Sequence, residues 1–377
     1  MTSKASGPHR IMDIDLRDVV VSPQTTWRHV RLMTESGFVG LGEATLSDPG
    51  PGYGDRLHHH ALRLIGADAL ENPLKGFQAR RLDLANRTIL SALDQAIMDI
   101  RAQISARPLC LELGGCLRDE ALPLYANINR ATRTRTPKAF ARNAKAAAKE
   151  GFEAIKIAPF DGLGPDLCGQ QEGRHLIDAG LARIRAAREA SADCDLMVDC
   201  HWRFTTEAVT ALLPALREIG VVWLECPLPE TPNAIPELLK LRRLANRHGM
   251  RLCGLETAGG WRDVAPYVQR GTYDLVMPDV KHAGGLENIM EIARQAQAAG
   301  IGVSLHNPSG PVAHLVSVHV MAALGSEERM EIQWHESPLF YEVTDPPPVI
   351  EGGVCRPTST SGLGTSLRGD DFRSGVS

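Results

Sequence analysis

The sequence predicts an α/β fold: a (β/α)8 barrel preceded by a smaller unit of antiparallel strands and helices. Three observations lead there. At 377 residues the chain is too long for one simple core and suits a barrel-sized domain with a smaller partner. Residues 11–45 alternate in the manner of antiparallel strands. From about residue 122 onward, eight short apolar runs alternate with helical segments, which argues for a parallel barrel.

In chain order, Val19-Val20-Val21 is followed by a polar loop at Ser22–Thr26, then by Trp27–Leu32, a turn at Glu35-Ser36-Gly37, and Phe38–Leu41. This pattern predicts a meander. The Gly/Pro/Asp-rich stretch Ser47–Asp55 is too irregular for an element. Residues 58–105 read as helices, with i, i+3, i+4 apolar spacing around Ile89–Leu93 and Ala96–Met98. The barrel strands are then predicted at 124–128, 154–157, 196–199, 221–225, 252–256, 274–277, 302–305 and 330–333. Helical patterns between them include 138–149, 176–190, 207–219 and 286–299. From Pro357 the tail is rich in Ser, Thr and Gly and is expected to be irregular or partly disordered.

Composition excludes several classes. Hydrophobic content of 43% and charged content of 23% are those of an ordinary globular protein. The net charge is −4 with both signs interspersed, so there is no basic stripe for nucleic acid. No apolar run approaches a membrane span. The opening MTSKASGPHR lacks the apolar stretch of a secretory signal, and the eight cysteines are scattered without a CxxC pair. They read as reduced thiols, so a cytoplasmic location is expected.

The polar residues carry the chemistry. Strands of a parallel barrel are buried on both faces, and the active face lies at their C-terminal ends. Here nearly every strand ends in a charge: Lys156, Asp199 with His201 two residues on, Glu225, Glu256, Asp279, His306 and Glu336. Singly, an Asp after a strand reads as a helix cap and a lone His as a structural residue. Their succession on consecutive strands resists that explanation. Asp199, Glu225 and Glu256 on adjacent strands are expected to converge as three carboxylates that need a cation. Hard oxygen ligands suit Mg²⁺, and no Cys/His spacing suggests zinc.

The chain resembles the mandelate racemase-like branch of the enolase superfamily over roughly residues 11–340. The likeness rests on VGLGEATL at 39–46, GFEAIKI at 151–157, MVDCHWRF at 197–204, WLECPL at 223–228, GLE at 254–256, MPDVKHAGGL at 277–286 and SLHNPSGP at 304–311. It implies a modified (β/α)8 TIM-like barrel over 121–340, an α+β capping domain over 1–120, and a segment over 341–377 returning to the cap. It implies Mg²⁺ ligation by Asp199, Glu225 and Glu256, an Asp279–His306 dyad, and Glu336 as stabiliser of the intermediate. The loops at Ser22–Thr26 and Ser47–Asp55 would close over the barrel mouth and choose the substrate.

Removing a proton α to a carboxylate creates a dianion, whose charge Mg²⁺ can stabilise; sites of this superfamily with a Lys or His base are a known example. His306 is the expected base, because imidazole titrates near neutrality and Asp279 can hold its tautomer. Glu331 is the rival to Glu336. His201, expected to share the orientation of Asp199 on an extended strand end, could protonate a departing 3-hydroxyl. Asp-x-His there resembles the galactonate and mannonate dehydratases. Its bland alternative is a ring packed on Trp202.

Where the racemase pattern has Lys-x-Lys, this chain has Lys156-Ile157-Ala158. Ala158 takes no proton, so a racemase needing bases on both faces fits less well than a dehydratase. Lys156 is expected to be an electrostatic partner of substrate or intermediate rather than a base; its alternative is a structural lysine paired with a neighbouring carboxylate. Asn127, Asn129 and Arg130 are candidates for substrate hydroxyls, and Arg203 for a hydroxyl or carboxylate. The expectation is a hydro-lyase acting on an acid sugar, in a homo-oligomer. The rivals are an epimerase, racemase or cycloisomerase on the same scaffold, and a non-catalytic binding barrel.

Overall fold

The structure, a computed structural model, describes residues 9–71, 73–74, 82–117, 121–369 and 373–374. Strands β1 (Ile11–Ser22), β2 (Thr25–Thr34) and β3 (Val39–Glu43) form the antiparallel meander read from alternation. The polar loop between the first two is a two-residue turn at Pro23-Gln24, tighter than its composition suggested. Gly37 turns the chain into β3 at φ +82°.

Of the helical stretch read over 58–105, helix α1 (Tyr53–Leu62) and helix α2 (Leu84–Ile104) form, while residues 72 and 75–81 lie outside the described residues. The Asp83 carboxylate accepts from the Asn86 N–H and starts α2. One face of α2 packs Ile89, Leu93, Ala96 and Ile100 into a core shared with Ile14, Val30 and Leu32 of the sheet. Gly40 and Gly42 let β3 lie on this helix: a Cβ at Gly42 would sit 1.9 Å from the Ala92 carbonyl oxygen. The opposite side of α2 is polar yet buried. Gln95 accepts from Glu43 N–H and donates to Val280 O; Ser91 accepts from Gly284 N–H, and Asp94 from Leu286 N–H. The helix therefore ties the antiparallel sheet to the 279–286 loop of the barrel.

After α3 (Leu109–Glu112), strand β4 (Leu122–Asn127) opens the barrel. It continues as α4 (Pro137–Lys149), β5 (Ala154–Ile157), α5 (Gln171–Ala190), β6 (Asp195–Asp199), α6 (Thr206–Ile219) and β7 (Val221–Glu225). Then come α7 (Ile235–Arg247), β8 (Arg251–Gly254), α8 (Trp261–Gln269), β9 (Leu275–Val276), α9 (Leu286–Ala298), β10 (Gly302–Val303), α10 (Pro311–Leu324) and β11 (Met330–Gln333). All neighbouring pairs from β4 to β10 are parallel, and β11 pairs β4. The ring closes where Glu331 N–H donates to Leu305 O. The barrel is modified as expected: β11 leads into a single 3₁₀ turn at Pro338–Tyr341 rather than a helix.

Period-2 alternation layers the interior. Tyr125, Ala154, Met197, Trp223 and Cys253 form an apolar layer. Two residues further along each of β4, β5, β6 and β7 stand Asn127, Lys156, Asp199 and Glu225, all buried.

The tail touches both units. Short β12 (Thr344–Asp345) pairs with β15 (Ser366–Leu367), and the hairpin of β13 (Ile350–Glu351) and β14 (Val354–Cys355) adds to β4. Finally β16 (Arg373–Ser374) pairs with β1. The segment expected to be irregular after Pro357 is docked: Leu363 N–H reaches the Asp99 carboxylate. Residues 370–372 and 375–377 of that segment lie outside the described residues. All eight cysteines are free thiols. Among the described residues no helix is long and apolar enough to cross a membrane.

Candidate active site

A cavity of ≈ 370 Å³ opens at the C-terminal rim of the barrel. Asn127, Asn129, Asp199, His201, Glu256 and His306 line it, together with Thr45-Leu46-Ser47 of the first unit. Glu225 lies fully buried behind this layer, and its Cα is in register with that of Asp199.

The strongest dyad is His306–Asp279. The imidazole Nδ1–H donates to Asp279 Oδ2 over 2.8 Å, leaving Nε2 facing Glu256 Oε2 at 3.6 Å and Glu331 Oε2 at 4.0 Å. Burial would raise the Asp279 pKa, but Lys281, His282 and His306 together hold it well below the usual carboxylate range. Lys281 Nζ bonds the same oxygen at 2.5 Å, and its own N–H donates to Oδ1. Both Lys281 and His282 line the cavity. Sequence reading gave them no role; the signal was their place directly after Asp279 in MPDVKHAGGL. The His306 backbone N–H donates to Pro278 O, and Glu43 caps α10 further on by accepting from Gly310 and Ala313 N–H.

Lys156 is enclosed between two carboxylates, 2.7 Å from Glu225 Oε1 and 2.8 Å from Glu331 Oε1. Burial disfavours its charge, yet Glu225 and Glu331 hold its pKa well above the ordinary lysine value. These contacts are those of a lysine paired with neighbouring carboxylates, the alternative reading of its sequence context. One lysine cannot neutralise every buried acid at this rim. Burial, followed by the charge of Asp199 and Glu331, pushes Glu225 up to about 8 despite Lys156. Burial, then Asp199 and Glu225, raises Glu256 well above its ordinary value. The donor set is short of positive charge, and hard carboxylate oxygens are what a Mg²⁺ ion takes; on that ground Asp199, Glu225 and Glu256 fit the ion.

The expectation that these three carboxylates converge needs a correction. Among the described residues no three His, Cys, Asp or Glu side chains are arranged to hold a metal ion. Each acid is turned to a local partner: Asp199 to His201 at 2.7 Å, Glu225 to Lys156 and the Trp223 indole, Glu256 towards His306. Glu256 also follows β8 by two residues rather than closing it, with Leu255 between them at φ +74°.

His201 is corrected as well. It does not continue an extended strand: His201 and Trp202 occupy left-handed backbone at φ +47° and +57°. For non-glycine residues this costs about 1–2 kcal/mol each. The turn is held by Trp202 N–H on Cys226 O and His201 N–H on Asp199 Oδ1. It folds the imidazole back onto Asp199 Oδ2, whose charge raises the His201 pKa and is itself lowered to about 2 despite burial. The Trp202 indole N–H donates to Glu230 Oε2.

Glu336 does not line the cavity. Its carboxylate accepts from Ser22 Oγ at 3.0 Å and from Arg130 Nη1 at 3.2 Å, which ties the β1–β2 turn to the barrel. The inner position belongs to its rival Glu331, which accepts from Lys156, Asn127 Nδ2 and Asn307 N–H. The distinction was invisible to pattern reading because it depends on where β11 ends: Glu331 lies within the strand and Glu336 three residues beyond it. Asn127 and Asn129 reach the cavity; Asn127 Oδ1 accepts from Asn129 Nδ2, and Asn129 Oδ1 from Ala158 N–H. Arg203 lies one cavity further out, where Ala158 also lies, and donates to Phe160 O.

Comparison with known proteins agrees with this architecture. The chain is 24% identical to a D-xylonate dehydratase of Haloferax volcanii, over 94% of this chain and 86% of that one. It is 28% identical to a D-gluconate dehydratase of Thermoproteus tenax, over 80% of this chain and 60% of that one. A solved member of the enolase superfamily from Salmonella Typhimurium superposes with a TM-score of 0.83 at 20% identity, covering 97% and 98% of the two chains, and carries the fold. Residues 139–371 match the family described as enolase C-terminal domain-like, and the chain belongs to that family of the enolase superfamily.

Proposed function

We propose that the chain is a Mg²⁺-dependent dehydratase of an acid sugar. It removes the proton α to the carboxylate and expels the 3-hydroxyl as water; the enol product then tautomerises to a 2-keto-3-deoxy acid. The observation that carries this reading is that two imidazoles, His306 and His201, face one cavity whose wall also includes Asp199 and Glu256. The names of the two dehydratase relatives support the reaction class.

Asp199, Glu225 and Glu256 would hold Mg²⁺, which when bound supplies positive charge against the negative charge that develops as the α-carbon loses its proton. His306 Nε2 accepts that proton, because Nδ1–H is engaged by Asp279. Lys281 keeps Asp279 ionised as the imidazole becomes cationic. The electron pair of the broken C–H bond forms the double bond between C2 and C3 as the C3–O bond breaks. His201 delivers a proton to the departing oxygen, so water leaves. Lys156, with its charge maintained by Glu225 and Glu331, is a fixed cation within this rim. Ala158 stands where the racemase pattern has its second lysine and takes no proton, which favours elimination over inversion.

The test is a screen of acid sugars with Mg²⁺ for 2-keto acid formation, with proton NMR in D₂O. His306→Asn is expected to abolish both α-exchange and dehydration; His201→Asn is expected to stop dehydration and retain α-exchange. Full activity of His201→Asn removes the acid assignment. Exchange without water loss by the unaltered chain would mean an epimerase.

A further inference from the structure

Beside the catalytic cavity lies a larger one of ≈ 750 Å³. The two share Asn129, Arg130, Asp199 and His201 as walls, so they adjoin at those residues. The β1–β2 turn, Ser22-Pro23-Gln24, forms one wall. Four guanidinium groups line this outer cavity, from Arg130, Arg133, Arg135 and Arg203, against the two carboxylates of Asp161 and Asp199.

The counter-charges are unevenly spent. Arg130 is paired with Glu336. Arg135 forks onto both oxygens of Asp161, and Arg183 from outside the cavity takes the same acid. Asp199 is engaged by His201. Among the described residues, Arg203 bonds carbonyl oxygens alone, through Nη1 to Phe160 at 2.9 Å and Leu163 at 3.5 Å. Arg133 is exposed on the cavity wall. Neither Arg203 nor Arg133 has an ion-pair partner among the described residues. A neutral, hydroxylated chain end would leave both cations uncompensated. A carboxylate or phosphate would meet them with charge-assisted, forked hydrogen bonds.

We infer that the substrate is an acid sugar carrying a second anionic group at its far end, bound by Arg203 and Arg133 in the outer cavity. This rests on the proposed dehydratase reading and narrows its substrate class: the reacting carboxylate lies at the acidic rim, and the distal anion lies under the β1–β2 turn. Two sources share that chemistry, the second carboxylate of an aldaric acid and the phosphate of a phosphorylated aldonic acid.

The experiment compares kcat/KM of the Mg²⁺-loaded full chain on a panel of six-carbon aldonates, aldarates and 6-phosphoaldonates. One doubly anionic class is expected to be preferred over the aldonates by about tenfold or more, as one charge-assisted fork at the far end would give; which class it is names the anion. Arg203→Gln and Arg133→Gln should each remove most of that preference, chiefly through KM. Arg203 also ties the 160–163 loop, whereas Arg133 makes no such bond, so Arg133→Gln keeps the test decisive if the other variant folds poorly. Aldonates turned over as well as or better than both charged classes would overturn the inference and leave the dehydratase reading standing, as would a preference unchanged in both variants. Dehydration of no acid in the panel would overturn both.

Discussion

Replacing Lys156 by Met isolates the electrostatics on which the site depends. The side chain is 1% exposed, and its ammonium lies 2.7 and 2.8 Å from two carboxylates that are themselves fully buried. Methionine keeps the length and apolar stem of the side chain, so the packing loss is small and the change is almost wholly one of charge. Removing one partner from a buried ion pair costs about 3–5 kcal/mol, because the remaining charge stays desolvated and unpaired. At about 1.3 °C per kcal/mol, from about 2.1 cal/mol/K of unfolding entropy per residue over 377 residues, the melting temperature should fall by about 4–6 °C. The assay is thermal unfolding followed by circular dichroism in EDTA, so that no divalent cation can replace the lost charge. Pairing the change with Glu331→Gln should recover a large part of the loss, since removing both partners of a buried pair is far less costly than removing one. A Lys156→Met protein melting within about a degree of the unaltered chain would refute the reasoning, and so would a double variant no more stable than the single one.

Three other outcomes are expected. Asp279→Asn keeps the shape of the dyad partner but no longer selects the Nδ1–H tautomer of His306; kcat should fall by about 10³–10⁴-fold, as loss of such an orienting carboxylate does elsewhere, with KM little changed in steady-state assays. Burial lowers the pKa of His29 and His314 from 6.5 to about 3, and of His319 to about 4. The stability linked to their neutral form is complete above pH 6.5 and is lost as pH falls towards those values, by up to about 1.4 kcal/mol per pH unit per group; urea titrations between pH 7 and 4 should show the decline, and His319→Gln should flatten it. Gly42→Ala would drive a methyl to 1.9 Å from Ala92 O and part β3 from α2, lowering the urea midpoint by the equivalent of about 1–3 kcal/mol; an unchanged midpoint would mean that the sheet and helix separate freely.

Much of the architecture was legible because it is written in periods. Val221–Glu225, Ala154–Ile157 and Met330–Gln333 were read with their final bounds, since apolar runs between helical repeats leave few other foldings. The short β9 and β10 were read two residues too long apiece, because the chain leaves the ladder while its composition is still that of a strand.

By itself the sequence determined the barrel, its acidic and basic strand ends, and the His306–Asp279 pairing as a resemblance. Charge and apolar alternation are properties of residue order, and they survive without coordinates. Only the tertiary structure decided which end of each side chain meets which partner. It turned His201 back through a left-handed bend and sent Glu336 to Arg130 and Ser22. It also put Glu331 inside against Lys156 and brought Lys281 to Asp279. These choices depend on strand phase, backbone handedness and contacts between residues as far apart as 22 and 336, where local pattern carries no information.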